Sequence, residues 1–413
     1  MSSIIKKLYF FFSFFFLIFF FLIQKIILIR IGIYYANKIG HLIGNSQIYL
    51  YKKKLKKFEN SSGSLFKLDL WITKNHGNFQ ILNKYYRGKL IFFPFFFLYG
   101  VYKIASNNRI FKKFLITEHD WGMDFYNLIY KKKSENILNG VSIKNLQNEL
   151  KKISIYPNDK IACFITRNDF YNKNILKETE LLKINKYRNS NFNDYLPAAD
   201  YLRKKGYKII RMGSHDKKFK SKFIINYPIS KINNYLVDIY LLKKSKLIIS
   251  SGTGIDLVAS QLFKKKICFV NLMPYLNIQN FKFIPNGVFL TKKLIKNRKI
   301  LSLKDIVKSN YFSLIGSQRY QKLGIKILDN SKKEILEAVK EFYKINFENY
   351  RYNKKELFLH KKFYKILNNL LLRNIDYLER LGSSKNVQLS LKEKARANFS
   401  IYFLKNYRDF LKS

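Results

Sequence analysis

Residues 245–270 read SKLIISSGTGIDLVASQLFKKKICFV. A short apolar run, Leu247 to Ile249, gives way to Ser250, Ser251, Gly252, Thr253 and Gly254, and an amphipathic segment starts at Ile255. The pattern predicts a strand, a tight turn and a helix. Glycines in such a turn supply unusual backbone angles or let a ligand come close. The helix that follows directs free N–H groups and the positive end of its dipole at whatever sits there, which suits a phosphate. A second apolar run, Ile267 to Val270, completes a βαβ unit. The turn then lies at the carboxyl edge of a parallel sheet, where ligands of open α/β folds bind. Serine and glycine also cap helices that bind nothing, so the turn alone decides little about function.

Working outward, Ile161 to Thr166 and Tyr207 to Met212 read as strands, and Tyr195 to Lys205 and Tyr235 to Lys244 as helices. Strands alternating with helices predict a parallel sheet with crossovers. Ser331 and Glu334 have the spacing of a capping box at the start of a helix over 332–343. Towards the amino terminus, Ile26 to Ile33, Leu65 to Thr73 and Phe114 to Thr117 are strand candidates, and Ile143 to Ile153 is an amphipathic stretch inside a lysine- and asparagine-rich linker. The expected organisation is a hydrophobic segment over 1–25, an α/β domain over 26–150, a second α/β domain over 151–345, and a basic helical tail over 346–413 without strands.

The 413 residues carry 78 Lys and Arg against 27 Asp and Glu, a formal charge of +51. Only 14 of the basic residues are arginine, and the lysines are spread along the whole chain among abundant Asn, Ile, Phe and Tyr. That distribution fits a compositional bias and solvated lysine faces, and no nucleic-acid-binding motif accompanies it. No specific nucleic-acid partner is expected. Cys163 and Cys268 each sit in an apolar strand-like run and read as small buried hydrophobes. The five histidines (His41, His76, His119, His215, His360) are scattered, with no zinc-ligand spacing.

Lys6 and Lys7 precede a Phe-rich run from Leu8 to Ile23, with no small-residue cleavage site after it. It reads as a retained membrane anchor or an interfacial helix; the alternative is a hydrophobic tail packed on the protein itself. A second aromatic run, LIFFPFFFLY at 90–99, is broken by Pro94 and suits either a core element or a second membrane-facing surface.

Three strand ends of the second domain carry arginine or small polar residues: Thr166, Arg167, Asn168 and Asp169; then Arg211, Met212 and Gly213; then the SSGTG turn with Asp256 behind it. A polar loop with Arg188 and Asn189 lies between the first two. In a parallel sheet all of these converge on one edge. Where lysine dominates the basic residues, arginine at three such places points to planar, bidentate recognition, as a diphosphate needs. The alternative is that Asp169 or Asp194 pairs with these arginines to pin loops.

TRNDFY, KYRNSNFNDYLPAADYLRKKGYKIIRMGS and SKLIISSGTGIDLVA together resemble a bacterial family of GT-B-type glycosyltransferases found in polysaccharide and sporadic carbohydrate clusters. More distantly, the order of elements is similar to the α1,6-fucosyltransferases. The resemblance covers about 160 to 270, with a shorter match at GHLIGN, residues 40–45. It implies a GT-B-like fold of two Rossmann-like domains whose parallel sheets face a cleft. It also implies that Arg167 contacts the donor diphosphate, that Asp238 matches an aspartate of the preceding helix, and that Ser250, Ser251 and Thr253 cradle phosphate or ribose. TRND carries one arginine where the fucosyltransferases carry a pair.

The activity so implied is transfer of a sugar from a nucleotide-diphosphate donor to a lipid-linked or polysaccharide acceptor, inverting, with no cofactor. None of the 14 aspartates stands two residues from another, so the Asp-x-Asp metal motif of the other common architecture is missing and a metal-independent reaction is expected. The catalytic base is expected across the cleft, with His41 in GHLIGN the first candidate and Asp69, His119 and Asp120 behind it. Lys6, Lys7 and the basic body predict the cytoplasmic face of the inner membrane. A non-catalytic sugar-nucleotide-binding scaffold would account for the same motifs.

Overall fold

The computed structural model describes residues 3–55, 63–74, 77, 79–117, 122–170, 173, 179–214, 218–374, 388 and 390–412. The chain divides into two compact units, Met1–Met123 and Asp124–Ser413. Both are α/β with parallel sheets.

In the first unit α1 (Ser3–Ile23) leads to β1 (Ile27–Ile33), α2 (Ile39–Leu55), β2 (Phe66–Ile72), α3 (Gln80–Arg87), β3 (Ile91–Phe92) and α4 (Phe95–Asn107). The strands pair in chain order, β1-β2-β3, all parallel. Pro94 divides the second aromatic run: it ends β3 and caps α4, where its missing N–H costs nothing. Arg30 and Asp69 are register partners on β1 and β2 and form a buried two-pronged ion pair at 2.6 and 2.7 Å, with the Tyr49 hydroxyl donating to the same carboxylate at 2.7 Å. Burial pushes the Asp69 pKa up, but the Arg30 contact outweighs it and leaves the group below its ordinary value.

Two expectations are corrected here. The proposed strand over 114–117 is a 3-10 turn, Ile110–Phe114, followed by a single parallel bridge from Leu115 to Ile31. Phe114 is buried against Phe20, and that packing takes the chain out of the sheet direction. The Phe-rich segment is not a separate anchor. α1 lays Ser13, Leu17 and Phe20 along the unit, the last two in the core cluster with Leu98, Val101 and Ala105 of α4. Among the described residues no helix is long and apolar enough to cross a membrane.

The second unit opens with α5 (Ile143–Lys151), β4 (Ile161–Ile165), α6 (Thr179–Asn185), α7 (Leu196–Lys204), β5 (Lys208–Met212), β6 (Ile224–Asn226), α8 (Tyr235–Lys244), β7 (Leu247–Ser250) and β8 (Cys268–Leu272). It continues through α9 (Asn277–Phe281), β9 (Val288–Thr291), β10 (Lys293–Lys296), β11 (Lys299–Ile300), α10 (Leu303–Lys308), α11 (Ser317–Lys322), β12 (Lys326–Leu328), α12 (Lys332–Phe347), α13 (Lys354–Leu372), β13 (Asn398–Phe399) and α14 (Ile401–Asn406). One sheet has the order β13-β9-β8-β7-β4-β5-β6 with every pair parallel; β10, β11 and β12 form a small antiparallel sheet. Residues of β4, β7 and β8 are buried throughout, as a strand covered on both faces requires. Cys163 and Cys268 are free and buried. The Ser331–Glu334 capping box is present at the start of α12.

The unit boundaries differ from the sequence expectation at both ends. The division falls at 123 rather than 150, because the segment after Asp124 is bonded into the second unit, for example through the Glu135 N–H to Leu262 O at 2.9 Å. Nor is 346–413 a separate strandless tail. β13 extends the main sheet beside β9, and the Glu341 carboxylate under α12 accepts from the Tyr352 hydroxyl (2.6 Å) and the Ile401 N–H (2.8 Å).

Replacing Asp69 with Asn strands a buried guanidinium, and chemical denaturation of the first unit should register a loss of roughly 3–5 kcal/mol. Burial pushes the Glu341 pKa up to about 8. Its folded value exceeds the unfolded one, so its contribution is complete in acid and is lost as pH rises through about 8. Thermal melts of Glu341→Gln should therefore lose less stability than the parent between mildly acidic and mildly alkaline pH.

Candidate functional site

The strand order of the main sheet reverses between β4 and β7: β5 and β6 continue on one side, β8 and β9 on the other. Loops leaving β4 and β7 therefore part in opposite directions, and the carboxyl edge between them is the switch point where open α/β sheets take ligands. Ile165 of β4 is the register partner of Ser250 of β7. One residue on, the Ser251 N–H donates to Ile165 O at 3.0 Å and the Arg167 N–H donates to Ser251 Oγ at 2.8 Å. The polar loop joins the same edge, since the Ser190 N–H donates to Arg167 O (3.0 Å) and Arg188 Nη2 donates to Gly252 O (3.0 Å). Arg167, Arg188, Asn189 and the SSGTG turn are thus brought together.

Asp169 and Asp256 act electrostatically on Arg167, and Asp256 on Arg188, but burial outweighs them. Burial, and then repulsion from Arg188, pulls the Arg167 pKa down to about 9, and burial lowers Arg188 as well. Arg167 stays cationic at neutral pH. The Nε atoms of both arginines, the hydroxyls of Thr166 and Thr253, and Oδ1 of Asp256 are buried without a hydrogen-bond partner. Native interiors rarely leave such groups unpaired, and this sheet edge gathers several of them.

The turn works differently from the sequence expectation. Instead of a regular amphipathic helix, Ile255 is followed by a short segment that closes in a π-helical turn, Val258–Leu262. The N–H groups of Gly252 and Thr253 are bonded within the turn itself. Asp256 Oδ2 accepts from the Thr253 N–H (2.5 Å) and Ser250 Oγ (2.8 Å), while the Gly252 N–H donates to Ser250 Oγ (3.1 Å). Burial pushes the Asp256 pKa up to about 6. Ser250, Ser251 and Asp256 hold the turn, and the arginines and Thr253 hold the unfilled bonding capacity.

Other expected residues lie apart from this cluster. Arg211 on β5 stands 5.3 and 5.8 Å from the rings of Phe192 and Phe219 and bonds Asn226 Oδ1 at 3.4 Å; Gly213 follows it with φ +96°. Asp238 lies in the first turn of α8 beside the Tyr227 hydroxyl, with burial pushing its pKa up to about 7. Gly254 follows Thr253 at the end of the turn. Asp169 accepts from Asn189 Nδ2 at 2.7 Å, and its charge raises the Arg167 pKa. In the first unit GHLIGN is not a turn ahead of a helix, since Gly40 and Gly44 lie within α2. His41 is exposed in the first turn of α2, its ring 5.3 Å from that of Tyr35. Asp69 is spent on Arg30 and cannot act as a base. His119 and Asp120, like His76 and His215, lie outside the described residues.

Sequence reasoning missed Lys292 and Asn271. Lys292, buried just past β9, pairs with Asp329 at 2.7 Å and donates to Asn189 O, so it fastens the arginine loop to the far side of the edge. Asn271, at φ +56° where the β8–β9 register slips, bonds Ser190 Oγ (2.8 Å) and exchanges bonds with Asn330 at 2.6 Å each. In a chain this rich in lysine and asparagine neither type stands out. Asn45 of α2 was also missed; its buried amide has no partner on either atom.

No family model matches the sequence, and no curated protein matches it. Solved structures similar to the chain include two glycosyltransferases. The Escherichia coli ADP-heptose lipopolysaccharide heptosyltransferase II has 9% identity and a TM-score of 0.32, over 58% of this chain and 84% of that one. A glycosyl transferase family 9 protein from Veillonella parvula has 11% identity and a TM-score of 0.33, over 59% and 81%. At these scores neither likeness carries an argument about this chain.

Gly252 has φ +82°, and a Cβ there would come within 2.8 Å of Leu272 Cδ1. Gly252→Ala should cost roughly 1–3 kcal/mol in thermal or chemical denaturation.

Proposed function

We propose that the protein is a metal-independent GT-B-type glycosyltransferase that moves a sugar from a nucleotide-diphosphate donor to a lipid-linked or polysaccharide acceptor at the cytoplasmic face of the inner membrane. The observation that carries this reading is the pair of desolvated guanidinium groups, Arg167 and Arg188, with unpartnered Nε atoms at the switch point of the parallel sheet. In the reaction the acceptor hydroxyl attacks the anomeric carbon on the face opposite the donor bond, giving inversion. That C–O bond breaks with its electron pair passing to the departing diphosphate. The negative charge grows on the leaving group, and cations already fixed in a low-dielectric edge stabilise it with little reorganisation. Arg167 and Arg188 take the diphosphate, Thr253 has a free hydroxyl for a phosphate or ribose oxygen, and Asn189 has a free Oδ1. The acceptor proton is assigned to the His41 imidazole.

A ligand site and a loop-pinning role make opposite predictions for stability. Replacing Arg167 with Met removes a desolvated guanidinium whose Nε has no hydrogen-bond partner, so the unliganded protein should melt no lower than the parent, whereas a pinning arginine would be missed. In a thermal-shift panel of GDP, UDP, CMP, dTDP and ADP, one nucleotide should stabilise the parent, and Arg167→Met or Arg188→Met should weaken that response by roughly 1.5–3 kcal/mol of binding. A folded protein that answers to none of them sinks the proposal. Binding without sugar transfer, with function in cells unaffected by His41→Ala, would instead assign a sugar-nucleotide-binding scaffold.

A further inference from the structure

An α-helix that is apolar on every side is normally enclosed by protein or by lipid. α1 is neither enclosed nor amphipathic in itself. It buries one stripe, Ser13, Leu17 and Phe20, and turns the rest of its circumference outward. Phe12, Phe15, Phe16 and Phe19 fall on one outer face, and Phe96 and Phe97 stand exposed in the first turn of α4, where the Phe96 ring lies 5.2 Å from that of Tyr9; exposure across these six phenylalanines runs from 49% to 61%. Soluble surfaces rarely carry contiguous apolar patches of this kind unless something binds them.

The two helices form a fixed pair. The Tyr9 hydroxyl donates to Phe96 O at 2.6 Å and accepts from the Gly100 N–H at 2.8 Å. At the crossing, a Cβ on Gly100 would lie 2.0 Å from Ser13 Oγ, so only glycine lets the helices approach this closely. The outer phenylalanines of the two helices, some eighty residues apart in sequence, therefore belong to one rigid surface.

The charge around that surface selects its occupant. Lys7, Lys25, Lys103, Lys112 and Lys113 are exposed on or next to these elements. Lys113 Nζ stands 4.5 Å from the Phe21 ring centroid and Lys103 Nζ 5.7 Å from that of Tyr99. Residues 1–123 contain nineteen Lys and Arg against four Asp and Glu. Among the described residues the one carboxylate of this unit is Asp69, buried on Arg30. A second copy of the chain would bring the same cations against these cations. An anionic bilayer would meet the phenylalanines with acyl chains and the lysines with headgroup phosphates.

We propose that the paired outer face of α1 and α4 is a monotopic membrane seat that docks this unit on anionic lipid. The helices lie in the interface plane, and the domain itself serves as their polar side. This inference deepens the membrane location assigned above and is independent of the sugar transfer.

The test is co-sedimentation of the full chain with vesicles of phosphatidylcholine alone or of phosphatidylcholine mixed with phosphatidylglycerol. Phe96→Glu with Phe97→Glu places carboxylates in the first turn of α4, where the helix dipole favours them, so folding is not at stake. The parent should bind the mixed vesicles roughly tenfold or more tightly than the neutral ones and lose that preference in high salt. The α4 double variant and Phe12→Glu with Phe16→Glu should each weaken binding roughly tenfold or more, with the nucleotide response of the donor site unchanged. Equal binding to both vesicles, undiminished binding by the α4 variant, or a self-associated species that leaves vesicles alone would each overturn the proposal. A lost nucleotide response with vesicle binding intact would count against the transferase reading alone.

Discussion

The register of β4 against β7 is the constraint on which the second unit depends. With Ile165 opposite Ser250, the two strands end together, and the next residues of each bond the other: Ser251 to Ile165 O, and Arg167 to Ser251 Oγ. Because the strand order reverses at this pair, it is also where a parallel sheet has an open crevice. A slip of one residue would send Ser251 to the opposite face and separate Arg167 from the turn. The apolar burial of Ile161 to Ile165 and Leu247 to Ile249 holds the register, and that packing offsets the cost of desolvating two guanidinium groups at its end.

Arginine serves two ends in this chain, and their environments tell them apart. Arg30 meets Asp69 with two bonds and Tyr49 supports the same carboxylate, so the charge is balanced inside the unit and does nothing but join two strands. Arg167 and Arg188 are also desolvated, yet each keeps an unpartnered Nε, and Arg188 depresses the proton affinity of Arg167. A balanced pair supports the fold. The proposed donor site rests on the second kind.

Much of the second unit was legible in the sequence because its strands are short apolar runs closed by glycine or serine. β4, β5, β7 and α8 fall within a residue or two of their expected limits for that reason. Where side-chain packing overrode local pattern, reading failed. The run after Phe114 looks like a strand but is spent on a turn that buries Phe114 beneath α1. β13 is two residues long and has no periodicity to detect. At the site, Arg167 and Arg188 stood out as rare residues in an unusual place, whereas Lys292 and Asn271 are among the commonest types in the chain and owe their positions to the ends of β9 and β8. The capture of the Thr253 N–H and the Ser250 hydroxyl by Asp256 depends on a backbone conformation that residue order alone does not specify.

β13 has a further consequence for synthesis of the chain. It covers the outer edge of β9, a strand completed more than a hundred residues earlier, and an uncovered parallel edge is an invitation to pair with another molecule. On the ribosome the strands from β4 to β9 emerge with that edge bare, and they stay so until Asn398 and Phe399 leave the exit tunnel. A message cut short before codon 398 would release a protein in which β9 is left as an uncovered edge strand.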